Sequence, residues 1–311
     1  MGSIITADVA NLLSPGIKKI YAIMAQEQPD YLPKLFNVGT TTLLDTPHDT
    51  YGATGGLHKW TGTVQYGDFK HLYKKTYTQE KYSNGLQIEE RVIRYDLYHE
   101  IERRCRNLAI ETNRSIQEFG IRMFNHAFDT SFTDDDGNTI TSTGPDGVAL
   151  CTSSHPTSPS DATAKPNYNT LSLTATNVST TRLNMAKFTD DKGKQIGVVM
   201  DTILVGLDNE EAAWEVIKSV GKVDTADNNR NFHEGRYNLL VHPMLSVPDF
   251  PNSWFGIDSK LQKLYSNWLW GRPPELENDT DFDTEVLKYK LVCEFAYGWD
   301  YYAWIYGNKV A

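Results

Sequence analysis

The sequence predicts an α+β fold, and three observations carry that expectation. Alternating segments flank an Asn-Gly dipeptide at Asn84-Gly85, one helical stripe runs unbroken from Leu97 to Ala127, and a later mixture of helix and strand patterns closes on a long aromatic strand. The chain has 311 residues, which suits one large domain or two interleaved ones. With 40% hydrophobic and 12% aromatic residues it can bury a sizeable core.

The elements follow in order. Ser14 caps a short helix with Pro15 at its first position. Ile17, Ile20, Tyr21 and Met24 share one face of it until Pro29 ends the segment. The rest of this arm, to residue 56, has no steady period and needs another surface to lie on. Residues 57–94 then have the texture of strands: KWTGTVQYGDF, LYKKTYTQEKY and LQIEERVIRY, with Ser83-Asn84-Gly85 between the last two. Asn-Gly between alternating segments is the strongest short-range hairpin signal. The expectation is therefore a hairpin from Tyr73 to Ile93 that turns at 83–85. Both its faces mix apolar and charged residues, so it cannot bury itself alone.

Leu97, Ile101, Cys105, Leu108, Thr112, Ile116, Phe119, Met123 and Ala127 step by three or four, which keeps one stripe on one side of an α-helix. At 1.5 Å per residue this helix is roughly 45 Å long. Its other faces are polar, so it lies across a surface. Residues 129–181 are rich in Ser, Thr, Asp, Pro and Gly and read as a long connection. Thr180 to Phe188 reads as a helix, and IGVVM and TILVG as short buried strands. A helix follows from Asp208 to Val220, with Asp208 as cap, Glu211 in capping-box position and Gly221 past its end. After the strand RYNLLVHPML, the aromatics Trp254, Phe255, Trp268 and Trp270 are assigned to core. Beyond the acidic loop ELENDTDFDTE, Tyr289, Leu291, Cys293, Phe295 and Tyr297 form the apolar face of a closing strand, with a bend expected after Gly298.

The chemistry is mostly negative. Thirty basic against forty acidic residues give a net charge of −10, which argues against tight binding to a phosphate backbone. Lys70, Lys74 and Lys75, like Arg103, Arg104 and Arg106, read as solvated faces. The N-terminus lacks a secretory pattern and no apolar run reaches membrane-span length, so the expected starting compartment is a cytoplasm. The three cysteines, Cys105, Cys151 and Cys293, have no C-x-x-C spacing. Cys151 and His155 lie four apart in DGVALCTSSHPTSP, but the prolines make poor helix, so a buried thiol and a turn-anchoring histidine outweigh a nucleophile with its base. His99-Glu100 opens like a zinc-peptidase helix, yet the fifth position is Arg103. Asp279, Asp281, Asp283 and Glu285 alternate like calcium ligands, with Thr284 where a glycine is required. No catalytic residue, cofactor or metal is expected.

The order of elements resembles the major capsid protein of tailed phages, the Hong Kong 97-type fold. Asp146-Gly147, Ala149-Leu150-Cys151 and Ser154-His155-Pro156 look like the "DG…LF…SHP" segment of the Mu-like major head subunit family, with Cys151 where an aromatic is common. Asp201 to Gly206 with the helix after it, and Tyr297-Gly298-Trp299, are similar to a strand, helix and closing strand of that family. The resemblance runs from about residue 15 onward and rests on order more than on any one motif.

It implies an N-terminal arm (1–56), an E-loop hairpin (57–94), a peripheral (P) domain (95–200) with a spine helix (95–128), an axial (A) domain (201–288), and a closing strand that returns to the P-domain (289–311). The hairpin residues implied in assembly are Tyr73, Lys74, Lys75, Tyr77, Lys81, Ser83, Asn84, Gly85 and Ile88. Spine-helix packing falls to Leu97, Ile101, Cys105, Leu108, Ile116, Phe119 and Met123. The implied partners are further copies in hexamers and pentamers, a separate scaffold protein, a portal, a cement protein, and double-stranded DNA confined without specific binding; no membrane is involved. The implied location is the virion, after assembly in the host cytoplasm. Some relatives crosslink a hairpin lysine to an asparagine, and Lys74, Lys75 and Lys81 are available. An encapsulin-like compartment, a tail or decoration protein, and a hydrolase using Cys151 and His155 are the competing readings.

Overall fold

The computed structural model describes residues 29–311 apart from 65, 69, 90–94, 96–97, 222–229 and 282–285. The helix expected at Ser14 lies outside the described residues. Short α1 (Leu32–Leu35) and β1 (Asn37–Thr40) lead into β2 (Asp45–Tyr51), β3 (His71–Thr78), β4 (Glu80–Glu89) and the long α2 (Tyr98–Asn125). Small strands follow, β5 (Ser131–Thr133), β6 (Thr139–Thr141), β7 (His155–Ser158), β8 (Asp161–Lys165) and β9 (Tyr168–Asn169), and then α3 (Ala175–Ala186). The next group is β10 (Thr202–Val205), α4 (Glu210–Lys218), β11 (Asn238–Val241), β12 (Trp254–Ile257) and α5 (Ser259–Tyr265). The chain closes with β13 (Ser266–Thr280), β14 (Val286–Trp299) and β15 (Ile305–Asn308).

Two sheets organise these pieces. The first has the order β1-β13-β14-β4, built on the long β13–β14 hairpin, with β4 antiparallel to β14 and β1 parallel to β13. The second has the order β11-β10-β12-β15-β9 and is mixed. Thr202, Ile203, Leu204 and Val205 of β10 are all buried, as a strand covered on both faces must be.

The helix α2 ties the sheets together. Cys105, Leu108, Thr112, Ile116 and Ala127 of the expected stripe are buried, and Phe119 and Met123 are half-buried. Leu97 and the side chain of Ile101 lie outside the described residues. Towards its C-terminus the buried face widens to Gly120, Ile121 and Phe124, because α1 and the second sheet close over it there. A Cβ on Gly120 would stand 2.6 Å from Leu32 Cδ2, so the missing side chain is what lets α1 lie against the helix. Trp254, Phe255 and Trp268 sit in this continuous core, and Trp270 packs half-buried against it.

Several expectations need correction. Asn84-Gly85 is not a turn: β4 runs straight through it, with Asn84 opposite Leu291 and Gly85 opposite Lys290. Ladder bonds to the long, mostly buried strand β14 outweigh the local preference of the dipeptide, since β-propensity yields to tertiary pairing. The real hairpin lies one element earlier, where β2 and β3 form a two-stranded ribbon with Asp45 opposite Thr78 and Tyr51 opposite His71. Residues 58–68 carry no strand where described. The boundary at 288/289 falls inside β14, so 201–288 and 289–311 are not separate packed units. The final residues form β15, which joins the second sheet and not the first. IGVVM is not a strand. The helix α4 is preceded by a 3-10 turn at Leu207–Asn209, so Asp208 does not cap it. α3 starts earlier than expected, because Thr174 accepts a hydrogen bond from Asn177 N and supplies a cap. The loop-rich region is partly ordered into the hairpins β5–β6 and β7–β8.

Candidate assembly surfaces

The loop that joins the two strands of the ribbon is exposed along the described residues of 54–70. This tip, residues 52–70, carries Leu57 at 106% exposure, Trp60 at 68%, Val64 at 57% and Tyr66 at 90%. Large apolar side chains left in water by their own chain mark an interaction surface when they cluster, as these do on one loop. The sequence reading missed them, taking KWTGTVQYGDF for a strand. The signal was there in the glycines that flank the isolated aromatics: Gly67 lies so close to Thr54 that a Cβ would stand 2.1 Å from its carbonyl oxygen.

The base of the ribbon is fixed to the body by polar contacts. Asp300, buried at the exit of β14, accepts a hydrogen bond from the Tyr77 hydroxyl at 2.7 Å, from Asn267 Nδ2 at 2.7 Å and from His48 Nδ1 at 3.0 Å. These three donors come from β3, β13 and β2. Burial and the Asp300 carboxylate hold the Tyr77 hydroxyl well above its ordinary pKa. Lys75 Nζ donates to the Thr143 carbonyl at 3.3 Å, and burial lowers its pKa despite Asp300 and Asp146 nearby. Further out, Ala53 N donates to Asp191 at 2.8 Å and Lys70 Nζ to Ser160 Oγ at 2.6 Å. Between β2 and the body a cleft of about 720 Å³ remains, lined among others by Tyr51, Asp190, Tyr265 and Tyr301.

The sequence-predicted assembly residues do not share one hairpin. Tyr73, Lys74, Lys75 and Tyr77 lie on β3 in the ribbon, with Tyr77 buried in its base. Lys81, Ser83, Asn84 and Gly85 lie exposed on β4, and Ile88 is buried beneath it against Cys105, Leu287 and Tyr289. Lys81 pairs with Glu294 at 3.7 Å.

Cys151 and His155 do not form a dyad. His155 is fully buried, its Nδ1 is 2.6 Å from Asp146 Oδ2 and its Nε2 is 3.1 Å from the Leu150 carbonyl, so both nitrogens are engaged elsewhere. Its ring stacks on Tyr302 at 3.8 Å. It is a core side chain of β7 that also anchors, through Asp146 and the Leu150 carbonyl, the turn before that strand, as expected. The Cys151 thiol lies against Gly307, and burial pushes its pKa up, away from the reactive thiolate. Among the described residues no group of three or more His, Cys, Asp or Glu is placed to hold a metal ion. No described helix is long and apolar enough to cross a membrane.

A family model described as phage capsid protein matches residues 73–307. No curated protein matches. Among solved structures, the mature capsid of bacteriophage PhiM1 is similar at TM-score 0.51 and 10% identity, covering 89% of this chain and 85% of that one. The capsid of Myoviridae phage XM1 is similar at TM-score 0.51 and 7% identity, covering 91% and 94%. The procapsid of bacteriophage JBD30 is similar at TM-score 0.50 and 9% identity, covering 96% and 74%. At these identities the likeness speaks for a shared fold, and the residues 73–307 carry the rest.

Proposed function

The chain belongs to the phage capsid protein family, and from that premise we propose that it is the major head subunit of a tailed phage, assembling with itself into hexamers and pentamers of an icosahedral shell around double-stranded DNA. The observation that carries the assembly step is the β2–β3 ribbon, whose tip exposes Leu57, Trp60, Val64 and Tyr66 while its base is locked to Asp300. The exposed tip of such a ribbon adds little to a monomer. It stabilises whatever it covers, and in a closed ring every such contact is repeated by symmetry.

In this reading the ribbon is the E-loop, laid over a neighbouring subunit. The first sheet with α2 is the peripheral domain and the second sheet the axial domain, whose exposed Trp214 on α4 lies near the capsomer centre. The net charge of −10 suits a wall that confines DNA without gripping it. A separate scaffold, a portal and a cement protein are the partners, membership of the Mu-like head subunits is the finer placement, and the subunit is structural with no catalytic role. It works in the virion after assembling in host cytoplasm. Lys74 is exposed and Lys81, exposed beside Glu294, also faces solvent, whereas Lys75 is turned into the body.

The test is negative-stain electron microscopy with size-exclusion chromatography of the protein, alone and co-expressed with its neighbouring virion genes. Rings, tubes or closed shells support the reading, and shells that copurify with DNA favour a phage head over an encapsulin-like compartment. A monomer under both conditions refutes it.

A further inference from the structure

β4 ends the first sheet, so one side of this ten-residue strand faces away from β14. Two contacts identify the residues that present their backbone to that side. The Gly85 N–H donates to its neighbour's side chain, Asn84 Oδ1, at 2.8 Å. The Tyr289 carbonyl oxygen lies 3.3 Å from where a Gly85 Cβ would stand, so it is Tyr289, not Gly85's register partner Lys290, that turns its carbonyl towards β4. Backbone groups alternate sides along an antiparallel ladder. Lys81, Ser83, Gly85, Gln87 and Glu89 therefore turn their N–H and C=O groups outward. All five are exposed, and no described backbone group outside the ladder bonds to them.

We propose that this edge pairs with the same edge of a second copy, antiparallel about a two-fold axis through Gly85, so that two four-stranded sheets become one of eight strands. The proposal rests on the shell reading and names a contact within it. An open edge is a template for another strand, and here the sequence complements itself. With Gly85 opposite Gly85, Ser83 falls opposite Gln87 and Lys81 opposite Glu89, each pair occurring twice. Opposite charges directly across a ladder are favourable. At the axis neither copy has a side chain to accommodate. Outward groups must face outward groups, so the register can slip only by two residues. Either slip takes Lys81 off Glu89, placing it opposite Gln87 or beyond the paired residues. In the subunit itself Lys81 already leans on Glu294, so the partner's Glu89 adds a second carboxylate to one ammonium. Contacts around a five- or six-fold ring are heterologous, whereas a two-fold contact is isologous. This edge therefore joins neighbouring capsomers and does not build one.

The experiment uses the full chain assembled into shells. Paired residues in such a register have Cα atoms about 5.5 Å apart, within disulfide reach. Ser83→Cys combined with Gln87→Cys should give covalent dimers on mild oxidation, and either substitution alone should give none, because its thiol then faces a Gln or a Ser. The native Cys105, Cys151 and Cys293 are buried and stay silent. Lys81→Glu and Glu89→Lys should each lower the yield of closed shells at least tenfold while rings persist, and the two together should restore it. Shells that form with the double-cysteine chain unlinked, single variants that crosslink equally, or charge reversals without effect would overturn the edge pairing and leave the shell reading intact. A parent chain that makes neither rings nor shells removes both.

Discussion

Tyr77→Phe tests how the ribbon is held. Tyr77 is 2% exposed and Asp300 6%, so the hydroxyl and the carboxylate meet away from water. The substitution keeps the ring, its edge contact with His48 at 4.9 Å and its packing on Leu269 and Ala296. What it removes is the 2.7 Å hydrogen bond that serves Asp300 Oδ1, while Asn267 and His48 still serve Oδ2. A hydrogen bond to a charged group contributes about 1.5–3 kcal/mol, so the expected loss is about 2 kcal/mol. In urea, with a slope of about 3 kcal/mol per molar, the unfolding midpoint of the unassembled subunit should fall by roughly 0.7 M. The variant should also flatten the alkaline limb of the stability curve. The folded state holds the hydroxyl above its ordinary value of 10.0, so its contribution is complete below that pH and is lost as pH rises past it. A midpoint within about 0.2 M of the parent, with the alkaline limb unchanged, refutes the account of Asp300 as the knot at the ribbon base.

Four further outcomes are expected. Trp60→Ser with Tyr66→Ser should abolish assembly and leave subunit stability within about 0.5 kcal/mol, since both side chains are exposed; a loss of stability without loss of shells contradicts the reading. Gly144→Ala should destabilise by about 1–3 kcal/mol in urea, because the new Cβ would stand 1.9 Å from the buried Trp299 ring. His242 is buried beside Tyr31, and burial lowers its pKa from 6.5 to about 4. The unfolded chain binds that proton first, so stability should fall as pH drops from 6.5 towards 4, and His242→Gln should blunt the fall. Ellman's reagent at pH 8 should label none of the three cysteines in the native subunit and all three in urea, as each is buried and burial pushes Cys105 and Cys293 up to about 11.

The long helix was legible because its signal is local. Each of Cys105, Leu108, Thr112 and Ile116 reports the same face, and no distant strand is needed to interpret them. The closing strand was legible for the same reason, through the period of two from Tyr289 to Tyr297. The ribbon was not. Asn84-Gly85 is a strong turn signal read by itself, yet at this position β14 supplies ten residues of partner, Glu80 to Glu89 against Val286 to Phe295. That pairing joins segments about two hundred residues apart, and a local pattern cannot announce it. His155 was legible as a turn anchor because its partner Asp146 lies in the same short stretch, whereas the ring of Tyr302 that stacks on it is brought there only by the fold.

The same separation divides folding from assembly in this chain. Stability is concentrated in an aromatic seam, where Tyr82 and Phe119 meet Phe295, Phe295 stacks on Trp268 at 4.5 Å, and Trp268 reaches Phe36 at 5.7 Å. That seam joins β4, α2, β14, β13 and the residue between α1 and β1, so truncating any of its rings unsettles the whole body. The ribbon contributes almost nothing to it. It is attached through Asp300, Asp191 and Ser160 by hydrogen bonds, and at its base by the small apolar cluster of Tyr77, Leu269 and Ala296, which is separate from the main core. A shell subunit has to keep one fold while its outer contacts change from neighbour to neighbour. Packing the rings in the body leaves the exposed tip of the ribbon free to serve those contacts without drawing on the core.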